Sequence, residues 1–127
     1  MVVGFKEKYI NLTVPITGDI RITLSELTYY SNLKKCLIVV PKNFPTDLGS
    51  IPVLLQNIFP KDGKAMFGYI LHDYLYKTGI FTRNECDAIL EEAMQSLGVV
   101  KWRRKSVRVG LKVGGWVAWN KHRKGNK

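Results

Sequence analysis

The chain has 127 residues, 46% of them hydrophobic and 11% aromatic, and a formal net charge of +10. That size and apolar content predict one packed domain and exclude a disordered chain. No apolar run approaches the roughly 18–20 residues that cross a bilayer, and the start, MVVGFKEKYI, lacks the apolar region of a secretory leader. The charge is local: residues 1–100 carry ten Lys/Arg and ten Asp/Glu, whereas residues 101–127 carry ten Lys/Arg and no acid.

In chain order, YINLTVPI and DIRITLSELTYY are rich in β-branched and aromatic residues, with TGD as a turn between them. SNLKK reads as the next turn and CLIVV as a short buried strand. Together they predict a small antiparallel sheet within a β-rich part, residues 1–43. PKNFPTDLGSIP follows, whose prolines and glycine exclude regular structure and predict a shaped loop. It opens a loop-plus-helix part, residues 44–98. There VLLQNIF has the apolar content for two helical turns, with Ser50 as N-cap and Pro52 in the first turn. A second helix is predicted from Lys64 to Lys77, stopped by TG. Thr82 with Glu85 three positions on is a capping box that opens a third. Its apolar stripe is Cys86, Ile89, Leu90, Ala93, Met94 and Leu97, and Gly98 closes it.

Residues 99–127 form a basic, tryptophan-containing segment with two periodicities. Val107, Val109, Leu111 and Val113 alternate as in a strand. Trp102, Val109, Val113 and Trp116 also share a helical stripe, with Arg104, Arg108 and Lys112 along another face. Helix is the reading taken, although each glycine within it costs ~1 kcal/mol. KHRKGNK is expected to be a mobile tail. The predicted fold class is therefore α+β: an N-terminal small antiparallel β-sheet followed by three to four packed α-helices, as a single domain.

The chemistry concentrates in GYILHDYLYKTG, where His72 and Asp73 stand in an apolar and aromatic run. At 3.6 residues per turn His72 shares a face with Gly68, Tyr69, Leu75 and Tyr76, while Asp73 faces Tyr69, Tyr76 and Lys77. Such a helix has no evident solvent face. A buried carboxylate is costly alone, so Asp73 must find a cation, a metal or several donors. Asp87 lies beside the apolar stripe of the next helix, and YKTGIFT is short enough for an antiparallel hairpin. Asp87 can then orient His72 as carboxylates orient catalytic imidazoles.

A purely architectural network is the alternative, with His72 on Asp47 or Asp87 and Asp73 on Lys77 or an arginine of the basic end. Asp47 would then cap its own loop through an Asx-turn. Ser50 lacks the surroundings of a nucleophile elbow. Cys36 and Cys86, flanked by apolar residues, read as buried thiols rather than a bridge or a zinc pair.

VPKNFPTDLGSIP, followed by LHDYLY, TRNECD and a tryptophan-containing basic end, resembles a family of small uncharacterised bacteriophage proteins over most of the chain from about Leu37. The resemblance implies a viral protein in the host cytoplasm during infection, or in the virion, with other phage proteins as partners. HDYLY…CD also resembles the secreted and viral phospholipases A2, whose H-D-x-x-Y helix receives a further aspartate from a second antiparallel helix. That resemblance implies His72 as the base activating water, Asp87 as the group orienting it and Tyr76 as a donor to Asp87. It also implies Asp73 as a ligand of Ca²⁺, which polarises the carbonyl of a lipid or other ester. The family's glycine-rich calcium loop and disulfides are absent. The loop Thr46–Ser50, with Asp47 as a second metal ligand and Gly49, stands where that loop would be.

In the basic end, Arg103, Arg104, Lys105, Arg108, Lys112, Lys121, Arg123 and Lys124 are candidate contacts for nucleic acid or an acidic partner surface. Trp102, Trp116 and Trp119 can stack on bases, sit at a membrane interface or anchor the segment to the core. With no sequence-reading motif present, nucleic-acid binding would be nonspecific. The function expected is thus that of a phage-particle or accessory protein carrying a phospholipase A2-like His–Asp hydrolase site. The alternatives are a non-enzymatic phage structural or assembly protein whose His–Asp network is architectural, and a nonspecific nucleic-acid binder acting through the basic end.

Overall fold

The computed structural model describes residues 2–13, 20–46 and 65–125. They form an α+β arrangement in which short antiparallel strands precede four helices. The main sheet has the order β1-β3-β4, with β1 at Gly4–Phe5, β3 at Leu27–Ser31 and β4 at Cys36–Val40. Phe5 pairs with Tyr29, and Tyr29 pairs in turn with Ile38. Leu27, Tyr29 and Ser31 point inward on β3, and Ile38 and Val40 answer them on β4. The turn between them closes at Lys35, whose φ of 54° is left-handed.

Three strand expectations change. CLIVV is buried on one face only, since Leu37 and Val39 alternate outward, as the period of two dictates in a sheet with one wet face. DIRITLSELTYY divides between two sheets: β2, Arg21–Ile22, leaves the main sheet and pairs with β5, Pro45–Thr46. The proline-rich stretch therefore does contribute a strand, with Pro45 at its first position, where a missing N–H costs no ladder bond. Thr23 fixes this corner, because its buried hydroxyl donates to Pro41 O and accepts from the Phe44 N–H, each at 2.8 Å. In the described part of YINLTVPI an isolated bridge forms, Leu12 to Thr23, and residues 14–19 lie outside the described residues. So do Asp47, Ser50, Pro52, the VLLQNIF helix and Lys64.

Helix α1 spans Ala65–Thr78 and buries Gly68 to Asp73, Leu75 and Tyr76. Helix α2, Arg83–Ser96, starts at the expected capping box, with Thr82 and Glu85 each bonding the other's backbone N–H. Between them Gly79 takes φ 63° and its N–H closes on Leu75 O. The two helices run antiparallel, as the pairs show. A methyl group at Gly68 would sit 3.1 Å from Leu90, whereas further along α1 His72 and Tyr76 reach back to Asp87. Cys86, Ile89, Leu90, Ala93 and Met94 form the buried stripe; Ile89, Leu90 and Met94 are each worth ~1.5–3 kcal/mol when fully buried. Glu92 ties α2 to the sheet through the Tyr29 hydroxyl at 2.7 Å and the Leu33 N–H at 2.9 Å.

The basic end is helical. Helix α3 spans Lys101–Gly114 and α4 spans Trp116–Gly125, separated by Gly115. Val107 and Leu111 are the residues α3 sends into the core. KHRKGNK is no tail over its described part, since α4 runs through it to Gly125 and packs on α1.

Candidate functional site

His72 and Tyr76 occupy successive turns of α1, so both side chains meet the first turns of α2 at one point. That point is a single oxygen of Asp87: His72 Nε2 lies 2.8 Å from Oδ1, and the Tyr76 hydroxyl donates to the same atom at 2.7 Å. His72 and Tyr76 are 0% exposed and Asp87 4%. A carboxylate only accepts, so with Asp87 as the carboxylate the shared proton sits on Nε2, and in the corresponding neutral tautomer the lone pair falls on Nδ1. Nδ1 is buried and has no hydrogen-bond partner among the described residues. The ring lies against Tyr76, centroids 4.1 Å apart. Burial, reinforced by the hydrogen bond to Asp87, pushes the Tyr76 phenol well above its usual range. Tyr76 therefore stays a donor.

Asp73 lies on the adjoining face of α1 and is fully buried. The Thr46 hydroxyl donates to its Oδ2 at 2.5 Å, the Lys77 ammonium stands 3.7 Å from that oxygen, and His122 Nε2 is 4.0 Å from Oδ1. Lys77 is itself fixed, donating to Pro45 O at 2.6 Å and resting over the Phe44 ring. Removing a carboxylate from water costs several kcal/mol, and this set of donors and cations offsets it. The pairing with Lys77 was legible as an i,i+4 contact. His122 and Thr46 were not: one stood in a supposed tail, the other in a supposed irregular loop.

Calcium requires six to eight oxygens with few cations nearby. Asp47 lies outside the described residues, and Asp73 faces Lys77 and His122. Among the described residues no group of three or more His, Cys, Asp or Glu could hold a metal ion. The described side chains alone do not fit a calcium site.

A further layer comes from α4. Trp119 packs edge-on against Tyr76, and Arg123 lies over the Trp119 ring. Arg123 also donates to the carbonyl oxygens of Tyr76 and Lys77, at 2.5 and 3.0 Å. These are carbonyls left open at the end of α1. The eight basic candidates therefore divide. Arg104 bonds Val99 O, Lys105 bonds Glu91, Arg108 bonds Asn84, and Arg123 caps α1. Arg103, Lys112, Lys121 and Lys124 are exposed.

The molecule is thus a small α+β domain whose helical hairpin buries a His–Asp–Tyr cluster beside a second, partnered aspartate. The chain belongs to the family described as protein of unknown function DUF1353, which matches residues 22–110. His72, Asp73, Tyr76, Asp87 and Thr46 fall inside that match, whereas Trp119, His122 and Arg123 lie beyond it. No curated protein matches the chain significantly, and no solved structure does.

Proposed function

We propose that His72 is a general base in an ester hydrolase site. The observation that carries this reading is the division of labour on its ring: Nε2 is bound to Asp87, and Nδ1 has no partner among the described residues. In the step proposed, a water oxygen attacks the ester carbonyl while its proton passes to Nδ1. Asp87 stabilises the imidazolium so formed. When the carbonyl–alkoxy bond breaks, Nδ1 returns the proton to the leaving oxygen, giving acid and alcohol. Tyr76 holds the carboxylate in place. Such base catalysis is typically worth about 10²–10⁴-fold.

The test uses the full chain with a short-chain nitrophenyl ester and with dispersed phospholipid, each in Ca²⁺ and in chelator. Calcium, with Asp73 and Asp47 as proposed ligands, enters as that arm of the assay. Wild type is expected to turn over at least one ester, and His72→Asn and Asp87→Asn to lose about 10²-fold or more while keeping the circular dichroism of the fold. Unchanged turnover in His72→Asn, or none in wild type on either substrate, sinks the proposal.

The complete burial of His72 and Asp73 favours a second reading, in which the cluster only fixes the register of the hairpin. The likeness to small phage proteins supports a viral setting for either reading, as a particle component or an accessory of infection. Detection in purified particles supports the first of these roles; presence only in infected-cell lysate excludes it.

A further inference from the structure

Helix α3 has two apolar faces, and packing explains only one. Val107 and Leu111 enter the core. Trp102, Val109 and Val113, at i, i+7 and i+11, share the opposite face. They are more than half exposed, as are Trp116 and Val117 just past Gly115. Core packing therefore does not account for these five side chains. Cations surround the stripe. Lys101 and Lys112, both exposed, stand along one edge at helical spacing, with Lys105 and Arg108 between them already bonded to Glu91 and Asn84, and the exposed Arg103 rests over the Trp102 ring. No acidic residue occurs from Lys101 onward.

We infer that this outward face of α3 and the start of α4 seats on an anionic bilayer surface. The tryptophans and valines sink to the boundary between headgroups and acyl chains, and the flanking cations meet headgroup phosphates. No helix among the described residues is long and apolar enough to cross a membrane, so the contact is one of lying on the surface. Charge and shape select this occupant. Three of the five stripe residues are valines, which offer a nucleic-acid base nothing to stack on. A second copy of the chain would bring one wholly basic segment against another. The inference is independent of hydrolysis at His72.

The test is co-sedimentation of the full chain with vesicles of phosphatidylglycerol and phosphatidylcholine, and of phosphatidylcholine alone, with tryptophan emission followed in parallel. Binding to the anionic vesicles with a blue-shifted emission is expected, with at least tenfold weaker binding to the neutral ones. Val109→Ser with Val113→Ser, both exposed and distant from the core, is expected to weaken binding at least tenfold while leaving thermal stability unchanged. Arg103→Gln with Lys112→Gln is expected to weaken it and to flatten its salt dependence. The inference is overturned by no binding to anionic vesicles, by undiminished binding of the double serine variant, or by tighter retention on duplex DNA that the serine variant leaves unchanged. A lipid-free dimer that the serine variant dissolves also overturns it, by assigning the stripe to a second copy.

Discussion

Arg123 donates to the carbonyl oxygen of Tyr76 at 2.5 Å, joining the end of the last helix to the end of the helix that carries His72. The guanidinium satisfies two carbonyls and stacks on Trp119, so it does the work of a C-cap from a distance of 47 residues. Arg123→Ala is expected to cost about 1.5–3 kcal/mol, the range for a hydrogen bond from a charged donor. Arg123→Lys should recover only part, since an ammonium lacks the planar fork. Urea denaturation measures both. Wild-type stability in the alanine variant would mean that α4 contributes nothing to holding α1.

Gly115 poses a contest between helix propensity and space. Its φ of −66° is ordinary helical backbone, so alanine there gains up to ~1 kcal/mol of intrinsic preference. A Cβ, however, would stand 2.8 Å from the Tyr76 hydroxyl and 2.6 Å from Leu111 O. Overpacking of this kind costs roughly 1–3 kcal/mol, so the steric term wins and Gly115→Ala destabilises. Tyr76→Phe removes the struck oxygen, so the double variant is expected to be more stable than the sum of the two single effects predicts. A double-mutant cycle with no coupling would place Gly115 away from Tyr76.

Glu85 gives a pH dependence of known sign. The Lys34 ammonium, then the Thr82 backbone and hydroxyl, hold its carboxyl down at about 2, below an ordinary value of 4.5. As pH falls, the unfolded chain takes up this proton first. The contribution to stability is therefore whole above about pH 4.5 and is lost between there and about pH 2. Melting temperature should fall more steeply across that window in wild type than in Glu85→Gln, and high salt should narrow the difference. Parallel curves would mean that the Lys34 contact does not persist in solution.

The two cysteines should separate chemically. Burial pushes the Cys86 thiol up to about 12, with the charge of Asp87 adding to it. Cys36 is half-buried at the start of β4. At pH 8 an aromatic disulfide reagent is expected to titrate Cys36 in the native protein and Cys86 only after denaturant is added. Cys36→Ser should abolish the native reaction. Prompt reaction of both thiols would show that α2 is not packed as described.

What could be read from the sequence follows the range of the interaction. The capping box at Thr82 and Glu85 is complete within four residues, and α2 formed where it was predicted. The pairing of His72 with Asp87 spans one hairpin, so helical spacing and a short connection suffice to anticipate it. Thr46 with Asp73, His122 with Asp73 and Arg123 with Tyr76 depend on how distant segments cross in space, and no local period encodes that. The same limit explains the basic end. Its two overlapping periodicities do not distinguish strand from helix, and a row of cations does not reveal which of them the fold uses internally.

The place of Arg123 near the end of the described chain also sets an order of events during translation. The end of α1 at Tyr76 leaves the ribosome 47 residues ahead of the guanidinium that closes it, which at ~5–20 residues per second is a delay of about 2–9 s. Throughout that interval His122 and Arg123 are missing, and Asp73 and the carbonyls at the end of α1 can be served only by water and nearer neighbours. The nascent cluster around His72 thus waits, half assembled, for its last helix to emerge.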